Sequence, residues 1–492
     1  MTIIELPERP GKDEFFTERA CFTQDLVCLF ESQATTLDND CACPDSAFTV
    51  ETCQLPGKEF VCTPDAHTAE LTNGFRLAFS PFAPAGPSVL NSPAWERYLS
   101  FAHKPQPLTL PLDRDLATQG LIQPAGAALK TAPGQPETLT VWLHVTNACN
   151  LDCPYCYVRK SSARMEEETG RQAVEQVVAA ARDNGFRRLK LKYAGGEATL
   201  HFKLVRHLHD YAQALAADSG LELREVVLSN GVFVTPEMAD WLAGSGMKLM
   251  ISLDGVGALH DQQRPMKGGG GTFVNVERAV DTVLLPRGAR PDITITITGL
   301  NARGAAEAVR WALERDLPFS LNFYRQNALS ASRRELAIEE ATIIEGMQAA
   351  YEIIEANLPA RPLLNGLLDR VQAGAHTHTC GVGQNYAVIT HTGKLAQCQM
   401  HLEQPVGEQV DAEMILPLVA GGPIRNLSVD EKSGCRECSY RYRCAGGCPL
   451  ETYRATGRWD VQSPNCNIYK TLLPKALRLE GLRLMKAHGY LS

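Results

Sequence analysis

No apolar run in this chain approaches the roughly 20 residues a helix needs to cross a bilayer. Its first residues, Met1-Thr-Ile-Ile-Glu-Leu-Pro7, lack the charged start and apolar stretch of a secretory signal. The expectation is therefore a cytoplasmic protein without a membrane partner. Positive charge is also in short supply: 48 Lys and Arg stand against 56 Asp and Glu, a formal net charge of -8. That balance argues against a general binder of nucleic acid or anionic membranes. There is no internal repeat and no low-complexity tract, which excludes repeat arrays and biased tails. Gly268 to Gly271 are consecutive, but no P-loop Lys-Ser/Thr follows, so they read as a mobile loop and not a phosphate cradle.

What is present is a long chain rich in cysteine. At 492 residues it is too large for one ordinary core and calls for roughly two to four domains. Its 44% hydrophobic and 21% charged residues are those of a soluble globular protein. Sixteen cysteines in a long chain without a signal point to metal binding and not to a disulfide framework. They fall into three groups. Cys21, Cys28, Cys41, Cys43, Cys53 and Cys62 match no nameable metal spacing and read as small structural thiols, with a further metal or thiol-relay role as the alternative.

The second group, Cys149, Cys153 and Cys156, sits within Val145 to Val158 at spacing C-x3-C-x2-C, directly after an apolar run, Leu139 to Val145, that reads as a strand. Three thiolates on one tight loop leave a fourth position open. Such a set suits a four-iron cluster whose exposed iron can chelate a small molecule. This spacing, with the aromatic Tyr155 before the third cysteine, resembles the radical S-adenosylmethionine (radical SAM) enzymes.

From Leu139 to about Pro318 strand and helix patterns alternate, which calls for parallel strands and crossover helices. The expected strands are Leu139 to Val145, Leu189 to Tyr193, Glu225 to Ser229, Leu249 to Leu253, Ile293 to Ile297 and Phe319 to Phe323. Expected helices include Gly170 to Asn184, Lys203 to Ala217, Pro236 to Ser245, Phe273 to Leu285 and Ala305 to Arg315. Six units imply an α/β fold, a partial (β/α)6 TIM-like barrel, with chemistry at the carboxyl ends of the strands. That rule places Cys149, Gly195, Asn230 and Asp254 at one rim. The resemblance further implies that Gly195, Gly196 and Glu197 of Ala194-Gly-Gly-Glu hold the methionyl amino group. It implies that Asn230, Ser252 and Asp254 contact ribose and carboxylate, and that Arg264 pairs with the carboxylate. The chemistry implied is reductive cleavage of S-adenosylmethionine to a 5′-deoxyadenosyl radical, which abstracts hydrogen from an unactivated carbon.

The third group follows the spacing Cys380-x12-Gly393-x4-Cys398, then Cys435-x2-Cys438-x5-Cys444-x3-Cys448-x17-Cys466. Taken alone, Cys435, Cys438, Cys444 and Cys448 could form one zinc site. The whole pattern resembles the SPASM extension of radical SAM peptide and protein maturases. That resemblance implies two auxiliary clusters, one held by Cys380, Cys398 and Cys448, the other by Cys435, Cys438, Cys444 and Cys466. The cofactors expected are thus three [4Fe–4S] clusters and S-adenosylmethionine. The first auxiliary set is one ligand short: either an iron is open, or His376, His378 or an N-terminal cysteine fills the place. Gln399 stands where the anaerobic sulfatase maturases carry an aspartate base, and an amide cannot act as that base.

Before the barrel, Phe75 to Phe79 and Ser88 to Leu90 read as hairpin strands, with Asn91 or Ser92 capping a helix from Pro93. This order resembles the PqqD-like peptide-recognition domains; a plain winged-helix-like packing domain is the alternative. The domains expected are 1–70, Cys-rich; 71–135, peptide recognition; 136–328, barrel; 329–375, helical bridge; and 376–492, SPASM with a C-terminal amphipathic helix. The function expected is a peptide maturase forming a thioether or carbon–carbon crosslink in a ribosomally made peptide with a leader, reduced by a flavodoxin or ferredoxin. Alternatives are maturation of a partner subunit (a quinohemoprotein amine dehydrogenase or a sulfatase) and, outside enzymes, a zinc-stabilised binding or electron-transfer protein.

Overall fold

The first strands come earlier in the chain than the expected boundary at residue 70. The computed structural model describes residues 18–23, 26–31, 58–84, 86–126, 136–408 and 411–491. The N-terminal unit contains β1 (Glu18–Thr23), β2 (Leu26–Glu31), β3 (Phe60–Cys62), β4 (His67–Glu70), β5 (Arg76–Phe79), β6 (Ser88–Leu90) and β7 (Ile122–Pro124). An antiparallel sheet runs β1-β2-β6-β5-β4, with Cys28 opposite Leu90 and Leu29 opposite Val89. Strands from both sides of residue 70 therefore share one sheet, because β2 supplies the apolar partner that β6 needs. The pair β3–β7 extends the same unit to residue 124.

On this sheet lies the helix Ser92–His103, capped by Asn91, whose side chain accepts from the Ala94 amide at 3.0 Å and from the Val27 amide at 3.0 Å. Its Ala94, Tyr98 and Phe101 pack with Leu26, Cys28, Ala78 and Leu90. Of the six early cysteines, Cys28 is buried in this core, and Cys62 donates to the Tyr98 carbonyl at 3.4 Å. Cys41, Cys43, Cys53 and the side chain of Cys21 lie outside the described residues.

The barrel follows as β8 (Thr138–Thr146), β9 (Arg188–Gly195), β10 (Glu222–Ser229), β11 (Lys248–Ser252), β12 (Asp292–Ile297) and β13 (Phe319–Phe323). All neighbouring pairs are parallel and in chain order. Helices Glu167–Asp183, Phe202–Asp218, Pro236–Ser245 and Ala305–Glu314 make crossovers that such pairing requires. β8 is buried along its whole length, as a central parallel strand with covered faces should be. The helix expected over Phe273 to Leu285 is instead a short α-helix, Phe273–Arg278, that widens into a π-helix, Ala279–Leu284, before Pro286.

The C-terminal region does not stand apart from the barrel. β14 (Tyr386–Ile389) pairs parallel with β8, and β15 (Leu395–Ala396) closes on β14, giving an eight-stranded sheet. The final helix, Cys466–Ala487, was expected to be amphipathic, yet Leu479 to Met485 are buried on every side. It packs against the bridging helix Glu340–Ala356 and against the N-terminal sheet, where a Cβ on Gly481 would meet Leu77 at 3.2 Å and Val89 at 3.4 Å. Its buried charges are internally neutralised: Arg483 Nε donates to Glu480 at 2.7 Å, and Glu480 accepts from the Leu363 amide at 2.9 Å.

Candidate active site

The loop after β8 carries Cys149, Cys153 and Cys156 and is pinned to the rim by backbone bonds. Asn147 N donates to Ala163 O (2.8 Å), Asp152 N to Pro265 O (2.8 Å), and Lys267 N to Asn150 O (2.8 Å). Asn327 Nδ2 adds a bond to Tyr155 O at 3.1 Å. The three cysteines are half-buried and feel one another electrostatically. Burial pushes the Cys153 thiol up to about 12 and also raises Cys149. Thiols this reluctant to ionise fit a site where bound metal supplies the compensating charge.

Gly195 and Gly196 end β9 under that loop, and the structure gives a local reason for both. A Cβ on Gly195 would lie 2.3 Å from Thr146 O, and one on Gly196 would lie 2.4 Å from Ala148 O. Gly196 N donates to Thr146 O at 2.7 Å and Glu197 N to Ala148 O at 2.8 Å. The missing side chains thus let β9 seat the cysteine loop. The Glu197 carboxylate is buried and accepts from Thr199 Oγ1 (2.6 Å), Thr199 N (3.1 Å) and Asn230 N (2.6 Å), bracketing the ends of β9 and β10.

Asn230 reaches the cysteine loop through Nδ2 to Asn150 Oδ1 at 2.8 Å. Ser252 is half-buried at the end of β11. Asp254 Oδ1 accepts from Thr296 N at 2.7 Å, and its Oδ2 takes the Tyr155 hydroxyl and Arg264 Nη1, the latter at 3.2 Å. Arg264 Nη1 also donates to the Tyr155 oxygen. Tyr155, Asp254 and Arg264 thus form one buried network between the loop and the rim, in which Arg264 is held by Asp254. Two buried donors of these rim residues, Asn150 Nδ2 and Arg264 Nε, have no partner among the described residues. A ligand with a carboxylate or ribose acceptors, as S-adenosylmethionine has, fits them.

Beside this network opens a cavity of about 180 Å³. Tyr155, Thr294, Thr296 and Asn322 line it from the rim; Cys380, Cys398 and Cys448 line it from the C-terminal region. Gln399 is also on its wall, its Oε1 accepting from the Tyr386 hydroxyl at 2.8 Å. No Asp, Glu, His or Lys is among the described lining residues. Burial pushes Cys398 up to about 12. A second void is walled by Cys435, Cys438, Cys444 and Cys466 together with Tyr440 and Tyr469. The described residues include no group of three Cys, His, Asp or Glu side chains set to hold a single metal ion. The cysteines instead surround spaces, an arrangement that fits polynuclear clusters. Neither His376 nor His378 lines the first cavity: His376 is buried with Nδ1 bonded to Gly374 O at 3.0 Å, and His378 Nδ1 meets Thr377 Oγ1 at 2.9 Å.

Sequence reasoning missed Arg325 and Asp369. Arg325 Nη2 grips the Asp369 carboxylate at 2.6 and 2.8 Å, and the arginine lines the cavity two residues beyond β13. The strand-end rule that selected Asn230 and Asp254 reaches Arg325 when applied to the last strand.

A family model described as the radical SAM superfamily matches residues 143–312. The sporulation killing factor maturation protein SkfB of Bacillus subtilis is 30% identical over 299 residues, covering 60% of this chain and 67% of that protein. A serine-type anaerobic sulfatase-maturating enzyme of Klebsiella aerogenes is 24% identical, covering 61% of this chain and 77% of its own. In fold, the chain matches the solved structure of anSMEcpe with bound AdoMet and Cp18Cys peptide at a TM-score of 0.56 and 18% identity, over 70% of this chain and 99% of that one. With the cysteine loop seated on β9 at the rim of a six-strand parallel barrel, these matches establish that the chain belongs to the radical SAM superfamily.

Proposed function

We propose that this radical SAM enzyme is a SPASM-type peptide maturase that crosslinks a ribosomally made peptide through a thioether or carbon–carbon bond. The superfamily implies a [4Fe–4S] cluster and S-adenosylmethionine, which supply a 5′-deoxyadenosyl radical for hydrogen abstraction. Cys149, Cys153 and Cys156 would hold the cluster that binds S-adenosylmethionine. Tyr155, Gly195, Gly196, Glu197, Asn230, Ser252, Asp254 and Arg264 shape the pocket for the latter. Cys380, Cys398 and Cys448 would hold one auxiliary cluster, and Cys435, Cys438, Cys444 and Cys466 the other.

The observation that carries this reading is the cavity shared by the rim and the first auxiliary cysteine set. A side chain placed there would meet Tyr155 and its strand-end neighbours, beside which the radical would form, on one wall and Cys380, Cys398 and Cys448 on the other. The cavity's described lining residues include no carboxylate, imidazole or amine to serve as a general base, and Gln399 is held by Tyr386. Both features favour crosslink formation over the base-assisted oxidation that makes formylglycine in a sulfatase. The N-terminal unit, the proposed site of leader recognition, is fastened to the cysteine-rich region. The buried Arg443 guanidinium donates to the carbonyls of Ala373 and Ala83, the latter at 2.5 Å, and Phe82 packs on Tyr442 with ring centroids 5.6 Å apart.

The test is coexpression with candidate precursor peptides from neighbouring reading frames, followed by mass spectrometry. A product lighter by two hydrogens, formed together with 5′-deoxyadenosine, is the expected result. An aldehyde on a sulfatase serine or cysteine would overturn it in favour of sulfatase maturation.

A further inference from the structure

Between the two C-terminal cysteine sets lies a cation with no part in the chemistry proposed above. Lys432 is 2% exposed, and its Nζ donates to Ala445 O at 2.8 Å. The same carbonyl accepts from Thr379 Oγ1 at 2.8 Å. Thr379 precedes Cys380 and Ala445 follows Cys444, so the ammonium is tied to a neighbour of each set.

The turn that creates this arrangement is unusual. Ala445, Gly446 and Gly447 all have positive φ, at 43°, 81° and 72°. Glycine accepts that region freely, whereas alanine does so only under constraint. The turn sends Cys444 to the void lined by Cys435, Cys438 and Cys466, and Cys448 to the cavity lined by Cys380 and Cys398. Gly446 leaves the space that Lys432 fills: a Cβ there would lie 2.7 Å from Lys432 Cδ, 3.1 Å from its Nζ and 3.3 Å from Cys435 Sγ.

Among the described residues no Asp or Glu forms a salt bridge with Lys432. A buried ammonium without a carboxylate is costly unless another anion compensates it. The groups whose charge Lys432 would feel are cysteines of both sets, Cys435 and Cys444 on one side and Cys380 and Cys448 on the other, which become anions when they ligate a cluster. We infer that Lys432 is the shared counter-cation of the two auxiliary cysteine sets and raises the reduction potential of the iron–sulfur cluster that each set holds. The inference rests on the proposed reading that these seven cysteines carry two clusters. Its physical basis is that reduction adds one negative charge to a cluster, and a fixed positive charge nearby favours the reduced form. A single charge at about 8 Å, in an effective dielectric of about 20, changes such an equilibrium by more than tenfold.

The experiment compares the anaerobically reconstituted full chain with Lys432→Gln and Lys432→Arg by iron analysis and EPR-monitored redox titration. In Lys432→Gln the reduced-to-oxidised ratio of both auxiliary clusters at a fixed potential should fall by about tenfold or more, with 59 mV corresponding to each tenfold. The cluster on Cys149, Cys153 and Cys156 should not shift, and Lys432→Arg should stay close to the parent. Unchanged auxiliary potentials in a fully loaded Lys432→Gln protein, or equal shifts in both variants, would overturn the inference. Loss of auxiliary iron from Lys432→Gln that Lys432→Arg retains supports it, because both variants change the packing beside Gly446 and only the first removes the charge. Loss from both shows a packing role and overturns it. A parent chain that binds only about four iron atoms, one cluster's worth, defeats the two-cluster reading itself and is recognised before any variant is compared.

Discussion

The two cysteine regions described here are built in opposite ways. At the barrel rim, Cys149, Cys153 and Cys156 belong to one loop, and the rest of the site comes to that loop: Gly195 and Gly196 underneath, Asp254 and Arg264 around Tyr155. In the C-terminal region no single loop makes a site. Cys444 and Cys448 are separated by only three residues and face different cavities, while Cys448 shares its cavity with Cys380 and Cys398. A local site is specified by spacing. A distributed one is specified by the backbone that separates neighbours, here the left-handed turn Ala445-Gly446-Gly447.

The largest effect that sharpens this contrast comes from removing one thiol from each region. Cys153→Ser should abolish S-adenosylmethionine cleavage. The loss should exceed the roughly 100-fold that follows when only the partners of metal ligands are changed. Cys398→Ser should keep 5′-deoxyadenosine formation within a few fold and lose the crosslinked product. Measuring 5′-deoxyadenosine and product mass in the same reaction separates the two. Equal loss of 5′-deoxyadenosine in both variants would mean that the regions do not act as separate sites.

The same contrast explains what the sequence made legible. Every barrel strand lies within three residues of its expected bounds, because each is a short apolar run, as in Thr138–Thr146, or an apolar–polar alternation, as in Asp292–Ile297. The rim residues followed from the ends of those strands. The partners of each side chain did not follow, since Glu197 bonding to Asn230 N and Tyr155 bonding to Asp254 join residues 33 and 99 positions apart. That β1 and β2 share a sheet with β6 was not legible, because a long stretch of polar and loop-forming residues separates them in the sequence. Lys432 carried no signal at all: in the sequence it is a lysine among charged residues, and only the fold makes it buried.

Backbone substitutions give the next effect down. Gly195→Ala puts a methyl against Thr146 O, a backbone atom that cannot turn aside, and should cost about 3 kcal/mol, the upper part of the overpacking range. Gly447→Ala meets Ser463 Cβ at 2.6 Å at a φ of 72°, and should cost about 2 kcal/mol. Denaturant midpoints give the order. Iron content gives the region, with the cluster on Cys149, Cys153 and Cys156 depleted in Gly195→Ala and auxiliary iron depleted in Gly447→Ala. The reverse pattern of iron loss would break the assignment of each turn to its site.

Tyr155→Phe tests the rim network more gently. It keeps the ring and removes the hydroxyl that joins Asp254 to Arg264, which should cost about 1–2 kcal/mol of stability. If the network positions Arg264 for the S-adenosylmethionine carboxylate, KM for that substrate should rise by up to about tenfold, the equivalent of about 1.4 kcal/mol. An unchanged KM with the same stability loss would assign the hydroxyl to packing alone.

The smallest effect lies outside both cysteine regions, at Asn91. Its carboxamide oxygen caps the helix Ser92–His103 and accepts from Val27 on β2, so one atom ties helix to sheet in the N-terminal unit. Asn91→Ala should cost about 1 kcal/mol, the usual loss for an N-cap. The described bonds of Asn91 join residues of the N-terminal unit, so peptide-independent 5′-deoxyadenosine formation should be unchanged, while peptide turnover falls if this unit presents the substrate. Varying the peptide concentration decides the matter. A higher KM for peptide at constant kcat places the unit in recognition, and a fall in 5′-deoxyadenosine formation without peptide would show that its packing on the cysteine-rich region extends to the radical site.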